Sequence, residues 1–171
     1  MEPITLKLPN EHHERAIKEF VRQLRPVRSA IIGGNGVEKL PFDTWIENTR
    51  DHRKAIALPK GLTPNTTLLV YEGKAMIGLC NIRHTLNKQM ETKYGQLGMT
   101  LVPHKRNQGL GKATFEAIKT YAKESLHLTE LLVIVPSDKP AMLRILESCG
   151  GTIKDVKKGT FIKLYRYTVT L

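Results

Sequence analysis

The clearest hydrophobic pattern of the chain lies in its second half, around a loop with two glycines. An apolar, strand-like run at residues 97–102 precedes this loop, which reads Arg106-Asn107-Gln108-Gly109-Leu110-Gly111. After it, apolar residues recur at helical spacing, namely Leu110, Ala113, Ala117, Ile118, Tyr121 and Ala122. The pattern predicts a strand, a glycine loop and a helix that begins within the glycine pair.

The rest of the chain divides into further strands and helices by the same criteria. Apolar runs predict strands at residues 4–8, 66–71, 76–84, 131–135, 151–156 and 161–170. Helical periodicity predicts helices at residues 10–24, with Asn10 as the N-cap, at 42–53 and at 139–148. Glu72-Gly73-Lys74 is typical of a hairpin turn. This order indicates an α/β or α+β protein in which a mixed sheet carries helices on both faces.

Length and composition are compatible with one folded unit. The chain has 171 residues, of which 40% are hydrophobic, so it can bury a substantial core. The sequence contains no repeat, low-complexity tract or evident linker. We therefore predict a single domain over residues 1–171.

Glycines at the start of a helix are typical of a loop that binds phosphate. The first backbone N–H groups of a helix have no intrahelical partner, and the helix dipole adds partial positive charge there. Gly109 and Gly111 lack the Cβ atoms that would keep phosphate oxygens away from these groups. Lys105, Arg106 and Lys112 add cationic side chains. A diphosphate is therefore a suitable ligand for this loop.

Three other interpretations of the loop have to be weighed against this one. A Walker loop has glycine at the place of Arg106 and Ser or Thr at the place of Ala113. A Rossmann fingerprint has a third glycine at the place of Thr114 and an acidic residue at the end of the next strand, whereas Glu130 precedes that strand. These two fit poorly, but a strand-to-helix turn without any ligand stays open on the loop residues alone.

Three segments of the chain resemble a known family. Val102-Pro103 followed by Arg106-x-x-Gly109-x-Gly111 resembles motif A of the GNAT superfamily of N-acetyltransferases. In motif A a strand, a pyrophosphate-binding loop and a helix hold acetyl-coenzyme A (acetyl-CoA). Ile82-Arg83-His84-Thr85-Leu86-Asn87 resembles a segment shortly before motif A in a bacterial subgroup of predicted acetyltransferases. The following strand, helix and Gly150-Gly151 turn resemble motif B.

The resemblance implies a fold and a coenzyme site. The fold is a central mixed, mostly antiparallel sheet with helices on both faces, in which two parallel strands, here residues 95–102 and 131–135, splay apart. The pantetheine arm enters the splay and pairs with exposed backbone as an added strand would. No metal is implied. The residues expected to contact acetyl-CoA are Leu101 and Val102, through their backbone, and Arg106, Asn107, Gln108, Gly109, Leu110, Gly111 and Lys112.

The implied reaction is direct attack of a primary amine on the thioester. It needs a neutral amine, stabilisation of charge on the thioester oxygen and a proton for the leaving thiolate. The tyrosine acid of many family members corresponds to Leu146, and the strand that often carries a glutamate base has Gln96 instead. His84 is our candidate base, because imidazole titrates near neutrality and its segment enters the active-site side of the sheet in related proteins. The alternative for His84 is a hydrogen-bonded structural residue at a strand end.

The formal net charge of +11 brings in a different class of protein. A basic nucleic-acid-binding module is an alternative, but we expect no nucleic acid, because the basic groups lack interleaved aromatic residues in the manner of a stacking platform. These basic groups occur at residues 22–28, 104–106 and 154–163.

A regulator that binds an acyl-CoA without efficient transfer is another alternative, since Leu146 replaces the usual acid.

The net positive charge also restricts which amine can accept the acetyl group. Polycationic amines would be repelled unless acidic residues between Glu11 and Asp51 form a cleft. Without such a cleft we expect a small amine with its own carboxylate, or the terminus or a lysine of a protein.

Composition excludes several classes of site. No run of about 18 apolar residues indicates a membrane span, and Met1-Glu2-Pro3 is unlike the start of a secretory signal, so we expect a cytoplasmic protein without a membrane partner. Cys80 and Cys149 are isolated, which indicates neither a disulfide framework nor a zinc site. We expect a monomer or a homodimer.

Overall fold

The computed structural model describes residues 1–28 and 30–171 of the protein. In chain order these residues form β1 (Ile4–Lys7), α1 (Glu14–Leu24), α2 (Phe42–Arg53), β2 (Asn65–Glu72), β3 (Ala75–Arg83), β4 (Leu97–Leu101), α3 (Leu110–Glu124), β5 (Glu130–Pro136), α4 (Pro140–Ser148), β6 (Thr152–Lys158) and β7 (Lys163–Thr170). A 3-10 turn at Glu11–His13 leads into α1, and the side chain of Asn10 caps it by accepting from the His12 N–H at 3.0 Å. The order and type of the predicted elements are confirmed.

Two local features differ from the prediction. A π-helical turn at Met90–Tyr94 precedes β4, and the sequence pattern did not indicate it. The strand predicted to begin at residue 95 begins at Leu97 instead. Gly95 has a φ of +68°, a conformation that is unfavourable for other residues, and it forms an isolated antiparallel bridge with Val133. The chain therefore turns at Gly95 before it enters the strand.

The fold combines helices with antiparallel sheets, which confirms the general fold class. The pairings found among the described strands and the Gly95–Val133 bridge are antiparallel, so the splay between two parallel strands stays a prediction. Contacts group the residues into two compact units. The first unit comprises Met1–Thr85 and Gly98–Arg106, and the second comprises Leu86–Leu97 and Asn107–Leu171. The single domain over residues 1–171 stays a prediction.

The first unit is built on a sheet with the strand order β1-β2-β3-β4. β2 pairs antiparallel with β1 and with β3, the latter through the predicted hairpin, with a register shift between Val70 and Tyr71. α1 lies against β3 and α2 against β2. The core of the two helices consists of Ile17, Phe20, Val21, Leu24, Trp45 and Ile46. These side chains recur at helical spacing, which explains why both segments fold as helices on the sheet.

The second unit is built on the antiparallel sheet β5-β7-β6. α3 packs against α4. Its core consists of Phe115, Ile118, Ala122, Leu131, Val133, Leu146, Tyr167 and Val169. β6 is an edge strand, and most of its residues are exposed. The second unit therefore holds the start of α3 on a packed helix pair.

Candidate active site

The loop before α3 adopts the backbone conformation that its glycines allow. Gly109 is the N-cap of α3 with a φ of +81°, and Asn107 also has a positive φ of +59°. Both residue types tolerate this left-handed region, Gly because it lacks a Cβ and Asn because of its short polar side chain. The first helical hydrogen bond runs from the Ala113 N–H to the Gly109 carbonyl at 3.2 Å, and no side chain caps this described helix end. The helix begins in the glycine pair, as predicted, and its first turn can accept an anion.

Gly111 lies where α3 comes close to a side chain of α4. A Cβ at Gly111 would lie 2.7 Å from the Cδ1 of Ile145 on α4. We predicted glycine here because it admits phosphate to the backbone, and the structure adds the close packing of two helices. The Cδ1 is the end of a flexible, half-buried side chain that can move aside, so packing favours glycine at this position without requiring it.

The cationic side chains predicted around the loop have different partners. The Lys105 ammonium pairs with Glu72 at 2.6 Å, and this hydrogen bond holds the pKa of the Glu72 carboxyl below its usual value. The Arg106 Nε donates to the Leu101 carbonyl at 2.9 Å. Lys112 has no salt bridge within the described part of the chain. Of the three cations, Lys105 is thus already neutralised by a carboxylate.

The backbone of Leu101 and Val102 was predicted to pair with the pantetheine arm. The Val102 N–H donates to the Ile77 carbonyl of β3 at 2.9 Å, and the Val102 carbonyl accepts from the Lys105 N–H at 3.1 Å. Successive residues of a strand direct their backbone groups to opposite sides, so Leu101 directs its groups away from β3. This geometry favours Leu101 over Val102 as the residue that pairs with an added strand, and it points to the Leu101 N–H rather than to its carbonyl, which accepts from the Arg106 Nε.

His84 lies at the end of β3 and is held by two hydrogen bonds. Its backbone N–H donates to the Pro64 carbonyl at 2.8 Å, and its Nε2 lies 2.7 Å from the Thr66 hydroxyl. Burial lowers the pKa of the imidazole, and the nearby charge of Arg53 lowers it further. Both effects favour the neutral imidazole, which is the form that can accept a proton. Its Nδ1 is the ring nitrogen that Thr66 does not contact.

The family model described as "Acetyltransferase (GNAT) domain" matches residues 5–152 of the sequence. The chain belongs to the GNAT family of acetyltransferases. It is thus an N-acetyltransferase by family, and its acetyl donor is acetyl-CoA, as predicted. No curated protein matches the sequence.

Solved structures share the GNAT fold with this chain. One is a spermidine N-acetyltransferase SpeG chimera from Vibrio cholerae and hSSAT, with 16% identity, 99% of this chain and 96% of that chain covered, and a TM-score of 0.66. Another is RimL, a ribosomal L7/L12 alpha-N-protein acetyltransferase in complex with coenzyme A, with 11% identity, coverages of 100% and 96%, and a TM-score of 0.72. A third is yncA, a putative acetyltransferase from Salmonella typhimurium with acetyl-CoA, with 15% identity, coverages of 99% and 95%, and a TM-score of 0.66. At these identities the similarity shows the fold.

The GNAT positions that often supply an acid or a base have structural roles here. Leu146, at the place of the usual tyrosine, is completely buried. Tyr167 is also buried and donates to the Glu147 carboxylate at 3.1 Å, so that burial and this bond raise the pKa of the phenol. Gln96, in the strand that often carries a glutamate base but has no carboxylate here, accepts from the Leu132 N–H at 2.8 Å. The sequence had indicated the missing acid and base, but not these contacts.

Acidic residues of the first unit were considered as an acidic cleft for the acceptor. Three of them instead form salt bridges with neighbouring cations. The pairs are Glu14 with Lys18, Glu19 with Arg22 and Glu11 with Arg50. Their charge is therefore largely offset locally.

A polar cluster in the first unit, formed by the exposed Asn35 and the buried Asn65, Thr67 and Asn81, was not recognised in the sequence. The Asn35 amide donates to the Asn65 carboxamide oxygen at 3.0 Å and to the Thr67 hydroxyl at 3.2 Å. The Asn81 amide donates to the same two acceptors at 2.7 and 3.1 Å. Asn65 and Thr67 alternate along β2, and this period of two is the signal that could have placed them on one face. The cluster fastens the segment around Asn35 to the hairpin of β2 and β3.

The described residues can also be assessed for metal-binding clusters, membrane-spanning helices and exposed thiols. Over residues 1–28 and 30–171, no group of three or more His, Cys, Asp or Glu side chains is arranged to hold a metal ion. Within the same residues, no helix is both long and apolar enough to cross a membrane. The two thiols are buried, Cys80 within β3 and Cys149 at the end of α4, and burial raises the pKa of Cys80 to about 12.

Proposed function

We propose that this protein transfers the acetyl group of acetyl-CoA to a primary amine of a small molecule or a protein by direct attack of the amine on the thioester. The observation that carries the proposal is the start of α3, where Gly109 in the left-handed region opens a helix that no side chain caps. In a GNAT chain this is the place for the diphosphate of the coenzyme, because the helix N-terminus offers aligned N–H groups and partial positive charge.

The residues proposed to hold the diphosphate are the loop residues Asn107, Gln108, Gly109, Leu110, Gly111 and Lys112, together with Arg106. The backbone N–H groups of the first helical turn donate to the phosphate oxygens, and Lys112 adds charge. The backbone of Leu101 and Val102 is proposed to pair with the pantetheine arm, with Leu101 the better placed of the two.

His84 is proposed as the base that takes the proton of the acceptor amine. The burial that lowers the pKa of its imidazole and favours the neutral form, together with the Nε2 contact with Thr66, supports this role. A proton-transfer group is typically worth about 10²- to 10⁴-fold, whereas positioning two reactants reaches effective molarities of roughly 10⁵ to 10⁸ M. Transfer therefore continues, more slowly, without a dedicated acid at Leu146.

The acceptor is proposed to carry few positive charges. The neighbouring structures include a spermidine and a ribosomal-protein acetyltransferase, so the fold alone does not choose between a polyamine and a protein. The overall charge of +11 and the ion pairs of Glu11, Glu14 and Glu19 disfavour a polycation. A small amine with its own carboxylate, or a terminus or lysine of a protein, fits this charge better.

Thermal unfolding with and without acetyl-CoA tests the donor site, with NADH and ATP as controls. A ligand at about 100 times its dissociation constant stabilises by roughly 2.7 kcal/mol, which for a chain of this size raises the Tm by about 5 to 10 °C. A rise specific to acetyl-CoA supports the proposal, and no rise at saturating ligand contradicts it.

Release of the CoA thiol in a screen of amines tests the transfer itself. Small amino acids, peptides with free N-termini and polyamines form the three arms of the screen. Turnover with amino acids or peptides supports the proposed acceptor class, whereas turnover with polyamines alone contradicts it.

A second candidate function is favoured by the buried Leu146. A family member without the usual acid can act as a regulator that binds an acyl-CoA without efficient transfer. Stabilisation by acetyl-CoA with no thiol release in any arm of the screen would select this alternative.

A further inference from the structure

The turn between β6 and β7 exposes large apolar side chains. Phe161 is 97% exposed, and Ile162 beside it is exposed as well. Residues 158–163, which we call the hairpin tip, close this turn. The exposure of a phenylalanine to this extent has no packing explanation, since apolar surface is stabilised by removal from water.

A cavity opens beside the hairpin tip. It has a volume of about 400 Å³ and is lined by residues of the tip together with Ser137 and Tyr165. Its lining includes the apolar residues Phe161 and Ile162 and the lysines Lys158 and Lys163. The cavity therefore combines apolar surface with positive charge.

The hairpin tip is held in place rather than loosely attached. The Ser137 N–H donates to the Lys163 carbonyl at 2.8 Å, and the Lys163 N–H donates to the Ser137 hydroxyl at 3.0 Å. Within the turn, the Gly159 N–H donates to the Ile162 carbonyl at 2.9 Å. A surface that is ordered before a partner arrives loses less conformational entropy on binding.

Positive charge is concentrated at the hairpin tip at a cost in stability. Lys158 and Lys163 are direct cross-strand partners, and like charges in this arrangement repel. Lys154 and Lys157 of β6 are exposed too. Within the described chain none of these four lysines has a salt bridge. The nearby Asp155 does not offset them, because it pairs with Arg166 at 2.9 Å.

We propose that the hairpin tip is a docking site for an acidic segment of a partner protein. Carboxylates of the segment face Lys158 and Lys163, and an apolar side chain of the segment covers Phe161 and enters the cavity. The positive charge selects an acidic partner by complementarity. The inference goes beyond acetyl transfer and does not depend on it, since docking is measured without coenzyme.

The surroundings of Phe161 favour a protein over other anionic partners. Its exposed neighbours Ile162 and Val156 are aliphatic and offer no face on which nucleic-acid bases stack. The open cavity of about 400 Å³ beside the tip gives room for a peptide side chain. From the sequence we expected no nucleic acid, because no aromatic residues are interleaved with the basic groups in the manner of a stacking platform. Phe161 does lie within the basic group at residues 154–163, and its exposure became evident only in the structure.

Fluorescence anisotropy of a labelled peptide of alternating Glu and Leu residues tests the proposal on the full-length protein. The competing probes are labelled single-stranded poly-dT and vesicles that contain phosphatidylserine. We expect saturable binding of the peptide that is weakened about tenfold by Phe161→Ser and by Lys158→Glu, as for central residues of an interface. Both side chains are exposed, and circular dichroism verifies that the variants are folded.

Lys74→Glu is the matched control, because Lys74 is an exposed lysine at the turn of the other hairpin and the substitution changes the net charge equally. It should leave peptide binding unchanged. Absence of peptide binding, equal weakening by Lys74→Glu, or tighter binding of poly-dT or vesicles that depends on Phe161 would each overturn the proposal.

Discussion

Gln96 and Leu132 share two hydrogen bonds that bind the start of β4 to β5 within the second unit. The Gln96 N–H donates to the Leu132 carbonyl at 2.7 Å, and the Leu132 N–H donates to the Gln96 Oε1 at 2.8 Å. Both residues are buried. The Gln96 carboxamide thus takes the place that a strand carbonyl would have. The strand that often carries a glutamate base in the family thus has here a glutamine that satisfies a buried backbone group.

Replacing Gln96 by methionine removes the acceptor and retains most of the side-chain volume. The Leu132 N–H then stays buried without a partner, so we expect Gln96→Met to reduce the free energy of unfolding by about 1–3 kcal/mol. Urea denaturation measures this loss. Gln89→Met is the control, because Gln89 is exposed and the substitution should be nearly neutral. Equal stabilities of the two variants would refute the role of Gln96.

Gly109→Ala tests the diphosphate loop. A Cβ in the left-handed region costs about 1–2 kcal/mol of stability, and next to the proposed phosphate it should also weaken acetyl-CoA binding at least about tenfold. Calorimetric titration measures the affinity. Gly61→Ala is the matched control, since Gly61 has a φ of +88° and a Cβ there would meet no atom within 4 Å. If acetyl-CoA binds both variants as tightly as the unaltered protein, the loop does not hold the diphosphate.

Gly111→Ala separates the packing role of this glycine from ligand binding. The added methyl group meets the Ile145 Cδ1, the end of a half-buried side chain that can move aside, and alanine is the better helix former, so we expect a net loss of stability of less than about 1 kcal/mol. Ile145→Val removes that Cδ1 and should restore part of the loss in the double variant. Thermal unfolding of the two single variants and the double variant gives the coupling energy. Strictly additive effects would show that the two residues do not conflict.

His84→Gln should slow transfer about 10²-fold while the KM for acetyl-CoA changes little, because a base acts in the chemical step. Burial lowers the pKa of His84, so kcat of the unaltered protein should rise with pH below 6.5 and then level off. This rise of kcat with pH should be absent from His84→Gln. Steady-state rates across pH check both expectations, and a pH profile that is the same in both proteins would exclude His84 as the base.

Stability itself should fall in mild acid. His13, His52 and His84 each have a pKa that burial lowers from 6.5, so the unfolded chain binds more protons than the folded one once the pH falls below that value. The stability that these three histidines contribute is fully present above pH 6.5. It is lost as the pH falls towards their lowered pKa values in the folded protein. Calorimetric Tm values across this range measure the slope. In His52→Asn the slope should be shallower, and an unchanged slope would contradict the assignment for His52.

The sequence alone determined the order of the elements and the start of α3 in the glycine pair. The period of the apolar residues defines α1, α2 and α3, because a helix that packs on a sheet must bury one face. The Glu72-Gly73-Lys74 turn and the helix start at the glycine pair depend on residues that are neighbours in the chain. Local backbone preferences therefore sufficed to predict them.

The tertiary structure decided which partner each polar side chain has. Gln96 meets Leu132, Lys105 meets Glu72, and Gly111 meets Ile145, and the members of each pair are far apart in the chain. The exposure of Phe161 likewise depends on what the rest of the fold leaves uncovered. A periodic pattern records which face of an element is buried. It does not record which element covers that face, because this depends on contacts that form only when distant segments pack together.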